Sequence, residues 1–290
     1  MQPMASLLGA ALGAGSYVAP ALTGRAAFHL FVRPAGRSTA RPEEAALMRE
    51  AVVGQVQVDG RAVTTYRWGS GGRPVLLVHG WSSRAAKFAG FVRALRERGH
   101  TVVAFDAPGH GASAGRATNI RQMRDAIRQL QEENGEFAAV VAHSFGVLAT
   151  FFALRSGVRA DRVVALGGVA DFDYLLAQFS ARLGLGARVQ RALRAHVEEK
   201  LFPGEPGIWD RLAATHRPDE TGVRVLLLHD ADDEVAAPAQ ARAIAAAYGD
   251  RARLVETRGL GHRRILHDPQ VIASAVEFAV TDENLPSAVA

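Results

Sequence analysis

Two rhythms of apolar residues alternate along this chain. Short apolar-centred runs fall at residues 74–79, 101–106, 137–141, 162–166, 223–229 and 253–257. Each is shorter than an ordinary helix and predicts a buried strand. Between them, apolar residues recur at helical spacing. Phe88, Phe91, Val92 and Leu95 fall on one face, as do Ile120, Met123, Ile127 and Leu130, and also Leu148, Phe151 and Phe152. Two further helices are predicted over 239–248 and 269–279. Residues 52–57 and 63–68 flank Asp59-Gly60 and predict an antiparallel hairpin. Strands alternating with helices of this length predict an α/β fold. Its central sheet should be mostly parallel, flanked by helices, with right-handed crossovers.

One stretch breaks the alternation. Residues 171–221 carry no strand signal, but Val189, Leu193, Val197 and Leu201 recur at steps of four. This predicts an amphipathic helical insertion between the sheet strands, placed to cap a pocket. The chain then divides into an N-terminal extension (1–48), a core (49–170 and 222–290) and the insertion (171–221). The first 24 residues hold no charged side chain. No Lys or Arg precedes the apolar part, as a signal peptide requires, and Gly9, Gly13, Gly15, Ser16 and Pro20 dilute it as a span. The expectation is a helix on a soluble, cytoplasmic protein. Peripheral membrane contact through residues 1–24 is the less favoured alternative.

The densest chemical signal lies at residues 141–147, Val-Ala-His-Ser-Phe-Gly-Val. A strand runs into Ser144 and a helix leaves it, with small residues two before and two after. That pattern is a nucleophile elbow. It lifts the serine hydroxyl above the sheet edge and sets the Phe145 N–H at a helix start, facing a developing oxyanion. The bland alternative for Ser144 is a helix N-cap. A literal G-x-S-x-G occurs at 111–115 around Ser113, but no strand leads directly into it and no apolar helix follows. Downstream, a predicted strand ends at His229 and is followed by Asp230, Asp232 and Asp233. The last strand is followed by Gly259-Leu260-Gly261-His262. Serine, acid and histidine thus reach one edge of one sheet. His262 would take the Ser144 proton, and an acid would orient its ring.

Val78-His79-Gly80-Trp81, Asp106-Ala107-Pro108-Gly109-His110-Gly111, the elbow, the acid strand and Gly261-His262 occur in this order. Together they resemble an α/β-hydrolase-fold serine hydrolase over roughly residues 50–280. The resemblance implies that Trp81 supplies the second oxyanion N–H. It selects Asp233 as the acid, with Asp230, Asp232 and Asp171 as competitors. It leaves Asp106, His110 and His143 as neighbours without a chemical step. His79 is expected to hydrogen-bond loop backbone and shape the oxyanion hole beside the substrate, and Phe179 and Trp209 of the insertion to bind the substrate. The implied reaction is cleavage of a carboxylic ester through an acyl-enzyme. Thioester cleavage, acyl transfer, or ligand binding without catalysis on the same scaffold are the alternatives.

Composition changes this picture little. The 290 residues carry a net charge of +5. Only Lys87 and Lys200 are lysines, and the arginines are scattered rather than clustered, so nucleic acid is not an expected partner. There is no cysteine, hence no disulfide or thiolate site. No metal or nucleotide motif occurs, and no cofactor or metal is implied. The expected partner is a small-molecule ester with an apolar part.

Overall fold

The computed structural model describes residues 2–281. Eight strands form one sheet: β1 (Val52–Val58), β2 (Arg61–Trp68), β3 (Val75–Val78), β4 (Val102–Phe105), β5 (Phe137–His143), β6 (Ala160–Leu166), β7 (Arg224–Asp230) and β8 (Ala252–Thr257). Their order across the sheet is β1-β2-β4-β3-β5-β6-β7-β8. β2 is antiparallel to both neighbours, and every other pair from β4 to β8 is parallel. The hairpin at Asp59-Gly60 turns with both residues at positive φ (49° and 68°).

The central strands are apolar on both faces because helices cover both. Leu76, Val140 and Leu227 point to one core, and their neighbours Leu77, Val141 and Leu228 to the other. The helices are α1 (Gln2–Val18), α2 (Pro20–Phe31), α3 (Pro42–Arg49), α4 (Ala89–Glu97), α5 (Ile120–Asn134), α6 (Phe145–Leu154), α7 (Phe172–Leu183), α8 (Ala187–Leu201), α9 (Ile208–Arg211), α10 (Pro238–Tyr248), α11 (Gly261–Arg264) and α12 (Pro269–Val280). α3, α4 and α12 close the face holding Leu77. α5, α6 and α10 close the other. α6 is buried along its whole length, which explains why its sequence is apolar on every side.

The insertion comprises α7, α8 and α9, between β6 and β7. The apolar N-terminus lies against it. Thr23, Gly24 and Ala27 of α2 are buried, and a Cβ at position 24 would sit 2.5 Å from the Ala192 carbonyl oxygen of α8. Small residues therefore let two helix backbones approach closely. Among the described residues, no helix is long and apolar enough to cross a membrane.

Candidate active site

β5 ends at His143, and Ser144 occupies the turn into α6 with φ 55° and ψ −123°. A non-glycine residue at positive φ costs on the order of 1–3 kcal/mol, and such strain persists only where the surroundings enforce it. Here the enforcement is visible. A Cβ at Gly146 would meet the Val78 and His79 carbonyl oxygens at 2.5 and 2.8 Å. The helix start is thus pressed against the end of β3. Ala142, the elbow position where glycine is usual, is buried in the core without conflict.

Three side chains converge at the C-terminal edge of the sheet. The Ser144 Oγ lies 3.0 Å from His262 Nε2. His262 Nδ1 lies 2.7 Å from Asp233 Oδ2. The other oxygen, Asp233 Oδ1, accepts the N–H groups of Val235 and Ala236 at 2.8 and 2.9 Å. Burial opposes ionisation of Asp233, but the hydrogen bonds from His262 and from these two amides outweigh it. The carboxyl is held below its ordinary value. An ionised Asp233 requires the proton of His262 on Nδ1, leaving Nε2 free to accept from the serine hydroxyl. The N–H groups of Trp81 and Phe145 engage no protein acceptor among the described residues. Both residues line one cavity with Ser144.

The competing residues have other partners. Asp230 accepts from the Thr257 hydroxyl (2.7 Å) and from the Leu260 and Asp232 N–H groups (3.0 and 3.1 Å). Asp232 accepts from the Gly259 N–H at 2.8 Å. Both brace the loop carrying His262 rather than the ring itself. Asp171 caps α7 through the Tyr174 N–H. Ser113 is buried; its hydroxyl accepts from the Thr64 N–H at 2.7 Å and donates to the Asp106 carbonyl. Asp106 is buried, and its carboxylate accepts from the Tyr66 hydroxyl and from two loop amides. His143 donates Nε2–H to the His262 carbonyl at 2.8 Å. Burial and the nearby His262 ring push its pKa down to about 3.

Two expectations about substrate contact need correction. His79 is fully buried behind the wall rather than in it. Its Nε2 accepts the Ala107 N–H at 2.9 Å and its Nδ1–H donates to the Gly80 carbonyl at 2.7 Å. A histidine at a strand end can tie two loops together as readily as it can meet a ligand. Trp209 lies away from the cavity. It packs on Phe172, its Nε1–H reaches Glu198, and the Arg194 guanidinium covers its ring at 3.8 Å. Phe179, in contrast, lines the cavity.

That cavity, about 150 Å³ in volume, is walled by Phe31, Ile120, Phe172, Leu175, Phe179 and Leu201. Phe31 was not identifiable as a wall residue, because nothing in the sequence tells where an N-terminal helix docks. A second, larger recess of about 650 Å³ opens on the other side of Ser144. His262 lines it, as do Arg37, Arg182, Arg263 and Arg264. Among the described residues no three His, Asp or Glu side chains converge as metal ligands.

The alpha/beta hydrolase family profile matches residues 75–275, and the chain belongs to this family. A Pyrococcus furiosus esterase has a similar fold, with a TM-score of 0.63 at 17% identity, over 85% of this chain and 97% of that one. A Paleococcus ferrophilus monoacylglycerol lipase does too, with a TM-score of 0.58 at 23% identity, over 75% of this chain and 98% of that one. Over 92 residues the chain is 38% identical to the dihydrolipoyllysine-residue acetyltransferase component of the acetoin cleaving system of Cupriavidus necator. That match spans 31% of this chain and 24% of the relative.

Proposed function

We propose that the protein is a serine hydrolase that cleaves a carboxylic ester through an acyl-enzyme. The observation that carries this reading is the unbroken series from Ser144 Oγ to His262 to Asp233, at 3.0 and 2.7 Å. Ser144 Oγ attacks the ester carbonyl while its proton passes to His262 Nε2. The carbonyl oxygen becomes an anion and takes hydrogen bonds from the Trp81 and Phe145 N–H groups. The carbon–oxygen bond to the alcohol then breaks, and His262 returns the proton to the leaving oxygen. A water, deprotonated by His262, attacks the acyl-enzyme and releases acid and free serine. Asp233 keeps the imidazole in the required tautomer and stabilises the imidazolium. Helices α7–α9 act as the cap, and the apolar cavity takes the acyl chain.

A fluorophosphonate probe tests this directly. The label should map to Ser144, and Ser144→Ala should lose both labelling and ester hydrolysis. The expected drop in kcat is on the order of a million-fold. Labelling at Ser113, or a fully active Ser144→Ala, would refute the assignment.

A further inference from the structure

Ser144 opens on two adjoining recesses, with Trp81, Arg182 and Val235 at their shared edge. The cavity on one side is mostly apolar, and His262 does not line it. The recess on the other side holds His262 and the basic side chains Arg37, Arg41, Lys87, Arg182, Arg263 and Arg264, and no Asp or Glu lines it. Arg41 and Lys87 are neutralised from behind by Glu44, at 2.8 and 2.9 Å. The other four are not. Arg37 donates only to the carbonyl oxygens of His110, Gly111, Ser113 and Gly115. Arg264 donates to the Gly259 carbonyl. Arg182 and Arg263 are exposed and have no carboxylate partner among the described residues.

Elsewhere on the surface some arginines stand beside acids, as Arg73 with Asp161, Arg96 with Glu50 and Arg242 with Glu256, and others, such as Arg121 and Arg155, donate to carbonyl oxygens. Only a modest excess of positive charge exists over the whole chain, +5. What marks this recess is that four guanidiniums without carboxylates line it together with His262, and no acid does.

The position of His262 says which part of a substrate meets them. The imidazole must protonate the leaving oxygen or sulfur, so the leaving group occupies the recess that His262 lines. The acyl chain points the other way, toward Phe172 and Phe179. We propose that the substrate is an apolar acyl ester or thioester of a phosphorylated alcohol or thiol, its phosphate held by Arg37, Arg182, Arg263 and Arg264. A guanidinium donates a planar pair of N–H groups that match phosphate oxygens. The inference rests on the hydrolase reading above and adds to it the class of leaving group.

The test uses the full-length protein and octanoyl esters of three alcohols of one length: 1,4-butanediol, 4-hydroxybutanoate and 4-hydroxybutyl phosphate. At low salt the phosphate ester should exceed the neutral ester in kcat/KM by on the order of tenfold, and the carboxylate ester should fall between. The advantage should shrink as salt screens the charges. Arg182→Gln with Arg263→Gln should bring the ratio close to one, because neither side chain has a structural partner to lose. The paired lysine variant should retain most of it. Arg128→Gln, on the outer face of α5, should leave the ratio unchanged. Calorimetry on Ser144→Ala with the uncleaved esters should give the same ranking. Equal use of the neutral and phosphate esters, a carboxylate ester that outranks the phosphate ester, or a preference that survives the double glutamine variant would each overturn the inference while leaving the hydrolase standing. Absence of both ester cleavage and Ser144 labelling would remove the hydrolase reading and this inference with it.

Discussion

Asp230 at the end of β7 and Asp232 and Asp233 just beyond it lie within four residues, and only Asp233 touches His262. Asp233→Asn should keep both amide bonds from Val235 and Ala236, since an asparagine oxygen can still accept them. It should therefore fold normally, yet lose on the order of 10⁴ in kcat, because the amide no longer holds the His262 proton on Nδ1. Asp230→Asn should behave in the opposite manner. Its two oxygens serve three donors on two strands' loops, and an amide keeps one acceptor oxygen. The expected outcome is a lower Tm with a smaller loss of kcat. Measuring Tm and kcat on both variants separates the roles, and a thermally intact, inactive Asp230→Asn would reverse them. Spacing after the strand singles out a short acidic segment. It does not say which carboxylate turns inward, because that depends on how β7's loop meets the loop after β8.

At the scale of elements, the strands and the helices between them were legible, because burial on two faces writes continuous apolar runs and helix faces write a period near 3.6. What the insertion's side chains touch was not. A large aromatic residue in a cap is apolar whether it lines a pocket or packs outward, so Phe179 and Trp209 looked alike in sequence. In the fold, Phe179 lies edge-on to Phe31 at 5.2 Å in the cavity wall, while Trp209 is covered by Arg194. Phe31 belongs to α2, outside the insertion altogether. Phe179→Ala and Phe31→Ala should each shift the ratio of kcat/KM between octanoyl and acetyl esters by on the order of tens-fold. Trp209→Ala should leave that ratio alone and lower Tm instead. An unchanged ratio in folded Phe31→Ala and Phe179→Ala variants, measured across esters from two to twelve carbons, would detach the apolar cavity from acyl recognition.

Across the whole molecule, the layer beneath the nucleophile is built from neutral histidines. His79 and His110 each accept a backbone N–H on Nε2, from Ala107 at 2.9 Å and Ser82 at 3.0 Å, so protonation would set two donors against each other. Burial lowers the pKa of both, His110 to about 4. His143, equally enclosed, is lowered to about 3. The unfolded chain binds protons at these residues near the ordinary value of about 6.5. Below that pH the unfolded state holds more protons than the native one, so stability falls as pH falls. The loss should begin near pH 6.5 and continue to about pH 4, at up to about 1.4 kcal/mol per pH unit for each histidine that stays neutral. Asp233, Asp230 and Glu44, whose folded values are depressed, contribute a different loss that sets in below about pH 5. Urea unfolding between pH 8 and about pH 5.5 therefore isolates the histidines. Wild type should lose stability steadily below pH 6.5, and His110→Gln, which keeps an acceptor toward the Ser82 N–H, should show a shallower slope. A flat profile between pH 6.5 and pH 5.5 would mean that these rings are hydrated or protonated in the native state, and the loops that carry Trp81 and His262 would then need another source of rigidity.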